Sequence, residues 1–212
     1  IGILCFVSIL SLALAVPTVW AGPGKVVING GDETTDSLDA TLSVTTPTSN
    51  LLVNGSAEAG DMSGWTIEKN GGDGCKVIGD NYDDDGTSFV TSFQITVRSQ
   101  TVDLLAAGYT ADQLDAAPDI VAGEYYKGKW PKFDDKYQLK IELRDANGAV
   151  IDSYDSGLVT TAEDWVWAGQ TFSNYGPGVR SVYFQDRGQD AEYWAGFYGA
   201  IADAAEVGLG GG

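Results

Sequence analysis

The stretch "YQLKIELRD" at residues 137–145 decides the fold class of this chain. Apolar and polar residues alternate strictly, which places Tyr137 and every second residue through Leu143 on one face of an extended strand. Asn147-Gly148 follows, and both residues tolerate the positive φ angles of a tight two-residue hairpin. The segment "AVIDSY" at 149–154 then supplies the partner strand. The sequence therefore predicts an antiparallel hairpin with one buried face.

The same period-two pattern extends through most of residues 50–207. Further strands are predicted in "SFVTSFQITVRSQTVDL" at 88–104, as one long strand or two with a bend, and in segments at 165–172, 179–186 and 193–207. One short helix is predicted after Thr110, because Gln113 three places later completes a capping box. A single helix among many strands predicts an all-β protein, a jelly-roll β-sandwich with one short helix.

Charge and composition exclude several functions. The 12 Lys and Arg residues against 30 Asp and Glu residues give a net charge of −18, which repels phosphates and anionic lipids, so we expect no nucleic-acid partner. Histidine is absent, which removes the usual general base and the commonest transition-metal ligand. Carboxylate catalysis of glycoside hydrolysis stays open, but no spacing selects a pair among Glu124, Glu142 and Asp145. We expect no cofactor and no metal.

The first residues have the character of a targeting segment. An uncharged apolar run extends from Ile3 to about Val16, and small residues at Val19 and Ala21 precede Gly22. The run is short for a membrane span and fits a signal peptide at 1–21 that is truncated at its front. We therefore expect a secreted protein without a membrane span in its mature form. A flexible Thr/Asp/Ser-rich linker at 22–49, a folded domain at 50–207 and a flexible tail at 208–212 are predicted to follow.

Three short features leave alternatives open. Cys75 is the lone cysteine after the predicted signal peptide, so it is either buried or bridged to another molecule, and burial is favoured. Asp83 to Asp85 could bind calcium, although a solvated acidic loop is favoured. Asn54-Gly55-Ser56 is a glycosylation sequon that coincides with a predicted turn.

Three longer segments together resemble the F-box-associated domain family. They are "NLLVNGSAEAGDMSGWTIEKNGGDGCKV" at 50–77, "QTVDLLAAGY" at 100–109 and "NYGPGVRSVYFQDRGQDAEYWAGFYGA" at 174–200. The domain occurs in sugar-recognising F-box proteins and in the fish nonspecific cytotoxic cell receptor protein. The resemblance spans essentially residues 50–207 and implies a galactose-binding-like β-sandwich. An apolar segment rather than an F-box precedes it, so no ubiquitin-ligase partner is expected.

The resemblance also implies a binding site. In the sugar-recognising members, loops at one end of the sandwich grip the inner chitobiose of N-linked glycans, with an aromatic ring against a sugar face. Their Tyr-Trp pair matches Tyr193 and Trp194, and their phenylalanine matches Phe89. Their aspartate matches Asp134, with Asp135 as the alternative. The lysine that follows the Tyr-Trp pair in those members is Ala195 here, so one hydrogen-bond donor is missing.

The residues themselves agree with such a site. Neighbours in a strand point to opposite faces, so one of Tyr193 and Trp194 is expected to face outward. An exposed indole suits the C–H face of a sugar. The prediction is a secreted, non-catalytic, lectin-like module that binds glycans or glycoproteins. The runner-up is an extracellular interaction module with a vestigial pocket, and a carbohydrate-active enzyme is third.

Overall fold

The computed structural model describes residues 49–80, 82 and 86–210, which form two packed antiparallel sheets. The predicted signal peptide, the linker apart from Ser49, and Asp83–Asp85 lie outside these residues. In the described part of the chain there are eleven strands and one helix: β1 Thr66–Asn70, β2 Lys76–Ile78, β3 Ser88–Val90, β4 Thr96–Asp103, α1 Ala111–Asp115, β5 Ile120–Lys127, β6 Lys136–Arg144, β7 Val150–Asp155, β8 Val159–Thr160, β9 Val166–Phe172, β10 Ser181–Gln189 and β11 Ile201–Leu209.

The strands are divided between two layers. The first sheet has the order β1-β4-β10-β6-β7, with β8 paired to β6, and the second has the order β2-β3-β11-β5-β9. Neighbouring strands run antiparallel in both sheets. The predicted all-β sandwich with one short helix is confirmed.

The core lies between the sheets and follows the alternation read from β6. Tyr137, Leu139, Ile141 and Leu143 are each at most 1% exposed. They belong to the same hydrophobic cluster as Ile120, Ala122 and Phe172 of the second sheet. Burying each large side chain contributes about 1.5–3 kcal/mol relative to leaving it exposed. The hydrophobic contact between these two faces holds the layers together.

Residues 88–104 form two strands, so the second of the two predicted alternatives is correct. β3 belongs to the second sheet and β4 to the first, and residues 91–95 connect them. The predicted capping box is also confirmed. The Thr110 hydroxyl accepts the Gln113 N–H at 3.2 Å, and the Gln113 side chain accepts the Thr110 N–H at 2.8 Å. No helix in the described residues is long and apolar enough to cross a bilayer.

The β6–β7 hairpin departs from the predicted two-residue turn. Gly148 has φ 80°, but Asn147 does not adopt a positive φ. Instead, the Asp145 carboxylate accepts the N–H groups of Asn147 and Ala149, both at 2.8 Å. This side chain organises a wider turn, and the strand register shifts between Leu143 and Arg144. The prediction failed because an Asx-type hydrogen bond outcompeted the Asn-Gly turn preference.

The last strand also differs from the expected one at both ends. β11 begins at Ile201 rather than at Tyr193, and it continues to Leu209, which is 3% exposed. Residues 208 and 209 pair with Val121 and Ile120 of β5, beyond the domain end expected at Val207. Gly208 and Leu209 therefore belong to the sheet and not to a flexible tail. Glycine is tolerated in the strand because the paired backbone supplies the hydrogen bonds.

Cys75 and Asn54 both serve the fold. Cys75 is a free, half-buried thiol that packs against the core, and burial raises its pKa to about 12. The Asn54 side-chain amide donates to the carbonyl oxygens of Asp61 at 2.9 Å and Ser63 at 3.2 Å. Asn54 itself has φ 55°, which Asn tolerates better than most residues. The sequon asparagine thus organises the turn that opens the domain.

A buried charge cluster connects the two sheets. The Arg98 guanidinium on β4 contacts the Asp186 carboxylate on β10 at 2.5 Å and the Glu124 carboxylate on β5 at 3.2 Å. All three residues are at most 2% exposed. Tyr137 donates its hydroxyl to Glu124 at 2.6 Å. Because β5 lies in the opposite sheet from β4 and β10, the cluster bridges the layers.

Two aromatic rings enclose the guanidinium of Arg98. Its central carbon lies 3.8 Å from the ring centroid of Phe89 and 4.0 Å from that of Trp65. Burial, with the neighbouring Asp186 carboxylate, raises the pKa of Glu124 well above its ordinary value. The Arg98 cation opposes the rise in the pKa of Glu124. Arg98 therefore allows the carboxyl groups of Glu124 and Asp186 to be buried close together.

Removing the Arg98 cation is expected to destabilise the fold strongly. Arg98→Ala leaves Glu124 and Asp186 buried without a counter-charge, which costs about 3–5 kcal/mol in the free energy of unfolding. Urea denaturation followed by tryptophan fluorescence measures this loss.

Arg180→Ala is the matched control for that experiment. Arg180 pairs with the more exposed Asp115 at 2.8 Å, so its loss should lower the free energy of unfolding far less than the loss of Arg98. Equal losses in the two variants would contradict the role assigned to the buried cluster.

Candidate functional site

One end of the sandwich brings together the loops in which the predicted site residues lie. Thr96 pairs with both Asn70 and Gly188, and Lys136 pairs with Gln189, so the ends of β1, β10 and the starts of β4 and β6 lie side by side. The loops at 71–75, 91–95, 128–135 and 190–200 therefore share this end, which we call the tip.

The 190–200 segment is a loop, and the prediction that it is a strand was wrong. The Asp190 Oδ1 atom accepts the N–H groups of Glu192 at 2.7 Å and Tyr193 at 3.1 Å, which turns the chain as it leaves β10. Gly196 then adopts φ 91°. These local constraints prevent an extended backbone, so the alternation that would send one of two neighbouring rings into the core does not apply.

Three rings of this loop are open to solvent. Trp194 is 85% exposed, and Tyr193 and Tyr198 are 40% and 41% exposed. The two tyrosine rings lie 4.8 Å apart between centroids, at an angle of 39°. Phe197 is half-buried, with the Lys76 ammonium 4.5 Å from its ring centroid. The tip therefore presents a cluster of exposed aromatic surface, a feature that marks interaction sites.

Hydrogen bonds to two neighbouring loops fix the 190–200 loop, which we call the aromatic loop. Asp73 accepts the Gly196 N–H at 2.7 Å, and the Ser92 hydroxyl donates to the Gly196 carbonyl oxygen at 3.1 Å. The Asp190 N–H donates to the Ser92 carbonyl oxygen at 3.1 Å. The loop is thereby held at its start and in its middle by the 71–75 and 91–95 loops.

Glycines permit the close approach of these loops. A Cβ atom at Gly188 or at Gly199 would lie 2.5 Å from the Thr91 hydroxyl oxygen. At Gly199 it would also lie 2.7 Å from the Ser92 carbonyl oxygen. Side chains at these two positions would push the aromatic loop away from its supports.

Phe89 is not part of the tip surface, which corrects the role assigned to it from the sequence. Phe89 lies in the middle of β3 and is 1% exposed. Its ring contacts Trp65, 5.8 Å away between centroids, and the Arg98 guanidinium. A side chain enclosed in this way cannot form a wall against a ligand.

Phe93, unlike Phe89, lies in a loop of the tip. It belongs to the 91–95 loop and is half-buried. A Cβ atom at Gly72 would lie 2.3 Å from the Phe93 ring, so the glycine backbone forms its support. The signal in the sequence is the second Ser-Phe of "SFVTSF", which falls just after β3 ends.

Trp130 is a second exposed tryptophan that sequence reasoning missed. It lies in the 128–135 loop and is 71% exposed. An ion pair of 3.5 Å between Lys132 and Glu192 links this loop to the aromatic loop. A tryptophan directly before Pro131, ahead of the predicted strand at 137–145, was the available signal.

The two candidate aspartates have different surroundings. Asp135 is 3% exposed, and its carboxylate accepts the Lys129 N–H at 2.7 Å and also the Ala191 N–H. Burial raises the pKa of Asp135 to about 7. Asp134 is half-buried, and its Oδ1 has no hydrogen-bond partner among the described residues. Asp135 thus positions the loops, whereas Asp134 retains an unused acceptor.

The carboxylates considered for glycosidase chemistry do not meet. Glu124 is in the core, Glu142 pairs with Lys140 and Arg144, and Asp145 organises the β6–β7 turn at the end opposite the tip. Within the described ranges, no group of three acidic or sulfur ligands is arranged to hold a metal ion.

Comparison with known proteins agrees with this architecture. The family described as the F-box associated region matches residues 45–209. F-box only protein 6 from Bos taurus is 38% identical over 165 residues, covering 71% of this chain and 61% of that protein. F-box only protein 44 from Mus musculus is 36% identical over 174 residues, covering 76% of this chain and 68% of that protein. The chain thus spans about three fifths of the length of the first of these relatives.

A solved structure shares the fold at low identity. The enzymatically active domain of the bacteriophage CBA120 tailspike protein 4 aligns with a TM-score of 0.55 at 18% identity. The alignment covers 76% of this chain and 21% of that one. The likeness concerns the sandwich alone.

The raised pKa of Asp135 is expected to make stability depend on pH. The folded protein keeps a proton on Asp135 up to a pH of about 7, whereas the unfolded chain releases it near pH 4. The contribution of Asp135 to the free energy of unfolding should therefore fall as the pH rises from about 4 to about 7. Denaturant unfolding of wild type and Asp135→Asn across this range measures the difference.

Asp61→Asn provides the control for the pH experiment. Hydrogen bonds from Ser63 lower the pKa of the exposed Asp61, so its titration lies below the range tested. The difference between wild type and Asp61→Asn should stay flat between about pH 5 and 7, above the titration of this group in both the folded and the unfolded chain. A flat difference for Asp135→Asn as well would show that Asp135 is ionised throughout.

Proposed function

The chain belongs to the F-box-associated family, and on that premise we propose that it is a non-catalytic, lectin-like module that binds carbohydrate at the tip. The observation that carries the proposal is the exposure of Trp194, whose side chain is 85% open to solvent on a loop held by hydrogen bonds. A large ring left uncovered on a fixed support contributes nothing to the core and is available to a ligand.

The chemistry of the tip suits sugars. An indole face packs against the apolar C–H face of a pyranose, while carboxylate and hydroxyl oxygens accept its hydroxyl groups. Asp134 in the adjoining loop and Glu192 in the aromatic loop supply such acceptors. The net charge of −18 disfavours phosphate-bearing ligands that could stack on the same ring.

Each tip residue has a distinct role in the proposed complex. Trp194 stacks on a sugar ring, and Phe93 replaces Phe89 as the opposing apolar wall. Tyr193 and Asp134 hydrogen-bond to hydroxyl or acetamide groups. Trp130 extends the apolar surface from the adjoining loop, which the Lys132–Glu192 pair links to the aromatic loop at 3.5 Å.

The fixed loops favour binding because they lose little conformational entropy when a ligand binds. Asp73, Ser92 and Asp190 hold the aromatic loop through bonds of 2.7 to 3.1 Å. Preorganisation of this kind reduces the entropy lost when a flexible surface closes on a ligand. A shallow, solvent-open site can then bind a small sugar with useful affinity.

The proposed ligand is the chitobiose core of N-linked glycans. Support for this choice is the match of Tyr193, Trp194 and Asp134 to the sugar-recognising members of the family. Ala195 replaces a lysine of those members, so the complex lacks one donor and is expected to be weaker or differently selective. The same replacement favours the runner-up, an interaction module with a vestigial pocket.

Substitution of Trp194 tests the proposal. Trp194→Ala should weaken binding of chitobiose-containing N-glycans by at least about tenfold, because a stacked ring contributes about 1 kcal/mol or more beyond its buried area. A glycan array followed by calorimetry with chitobiose measures the effect. Phe93→Ala should weaken binding in the same direction.

Leu105→Ala is the matched control for an exposed apolar side chain. Leu105 is 47% exposed and follows β4 at the end opposite the tip, so its loss should leave glycan binding unchanged. Undiminished binding by Trp194→Ala would overturn the assigned site. Absence of binding by the wild type supports the interaction module, and release of free sugar from glycans supports catalysis.

We also propose that the protein is secreted. The support is the uncharged apolar run from Ile3 to Val16 and the small residues before Gly22. A reporter fused behind residues 1–24 should appear in the culture medium of a secreting cell, with Gly22 at its new N-terminus. Leu10→Asp interrupts the apolar run and should retain the reporter. Equal retention of both fusions in the cell would overturn the proposal.

A further inference from the structure

An indole lies flat on the outer face of the second sheet, on β9 rather than in one of the loops of the tip. Gly123 on β5 and Gly169 on β9 are direct cross-strand partners. A Cβ atom at Gly123 would lie 2.3 Å from Cζ2 of Trp167, and one at Gly169 would lie 2.7 Å from the same atom. The six-membered ring of Trp167 therefore rests on two glycine backbones where no other residue type would leave room.

The opposite face of that ring is open. Trp167 is 37% exposed, which matches a ring with one face on the sheet and the other in solvent. Trp165 lies two residues earlier, directly before β9 begins at Val166. The two tryptophans are joined through the rings of two tyrosines.

These two tyrosines contact each other and the tryptophans. The Tyr125 ring lies 5.1 Å from that of Trp167, and Tyr82 stacks on Tyr125 at 3.6 Å. Tyr82 also meets Trp165 edge-on at 6.0 Å. These four residues, Tyr82, Tyr125, Trp165 and Trp167, make up what we call the aromatic strip.

Charge around the strip restricts what can bind there. The Lys127 ammonium lies 4.8 Å from the Trp165 ring centroid and 2.7 Å from the Asp80 carboxylate. A protein cation already occupies the position that a cationic ligand would take over that ring. Polyanions are repelled by the net charge of −18. An uncharged ligand is the class that remains.

A carboxyl group beside the ring supplies a hydrogen-bond acceptor. Glu206 on β11 is the cross-strand partner of Gly123, so it lies beside the glycine pair that supports the Trp167 ring. Glu206 is half-buried, and burial raises its pKa. A flat apolar ring with an acceptor at its edge is the arrangement that binds a polyhydroxylated ring.

We propose that the aromatic strip is a second carbohydrate site, which takes a stretch of an uncharged polysaccharide chain running along β9. Trp167 stacks on one sugar unit, Trp165 contacts the next along the strand, and Glu206 accepts a hydroxyl. The site rests on its own geometry and does not require the tip to bind sugar.

Two other occupants would use the same surface. In the first case, Trp167 itself covers the backbone of the glycine pair, as cross-strand aromatics do in sheets, and this is its whole role. No ligand would then bind. A second copy of the chain could instead cover the strip. The experiment separates both from the polysaccharide.

Affinity electrophoresis of the Trp194→Ala variant through gels containing neutral galactan, xylan, mannan or mixed-linkage glucan tests the proposal. At least one of these polysaccharides should retard this variant, and adding Trp167→Ala should abolish the retardation or raise the dissociation constant at least about tenfold. A carboxymethylated form of the same polysaccharide should not retard the protein. Retardation that survives Trp167→Ala, or no retardation by any of the four, overturns the second site.

A measurement on the unsubstituted protein guards against misfolding of Trp167→Ala. The Nε1–H resonance of Trp167, assigned with Trp167→Phe, should shift on titration with oligosaccharides from the polysaccharide that binds. An unmoved resonance overturns the proposal, as does a dimer that Trp167→Ala dissociates. Failure of the proposal for the tip would give a different result from failure of the proposal for the aromatic strip. It would appear as N-glycan binding that Trp194→Ala does not weaken.

Discussion

The buried charge of Arg98 constrains the rest of the structure. A cation enclosed between two sheets is tolerated only where counter-charges meet it, so Asp186 must lie directly across from it on β10 and Glu124 must approach from β5. These requirements fix the register of the first sheet and the distance to the second. The same cation explains why Phe89 belongs to the interior: its ring covers one face of the guanidinium, and Trp65 covers another.

The order imposed in the core continues to the tip through β10. The strand that carries Asp186 ends at Gln189, and Asp190 immediately caps the aromatic loop through its carboxylate. Ser92, in the connection between β3 and β4, supports the same loop. Trp194 is therefore exposed on a loop that hydrogen bonds hold in place, and its position follows from how the two sheets are joined.

The sequence revealed those features that depend on local chemistry. Alternation from Tyr137 to Leu143 identified a half-buried strand, and Thr110 with Gln113 identified the helix start, because each pattern has one structural solution. Residues 193–200 have the composition of a strand, yet the hydrogen bond from the Tyr193 N–H to the Asp190 carboxylate and the positive φ of Gly196 prevent an extended backbone. Periodicity could not show that β3 ends between Phe89 and Phe93. Gly123 and Gly169 lie together beneath Trp167 only because of the cross-strand register, which no local pattern encodes.

Gly188 and Gly199 bracket the aromatic loop at positions where even one added carbon would strike Thr91. Residues 191–195, by contrast, face solvent along their whole length and contribute nothing to the sheets. Substitutions within this segment can therefore alter what the tip contacts while Gly188 and Gly199 keep both ends of the loop against Thr91. Ligand selectivity at the tip is thereby separable from the packing of the two sheets.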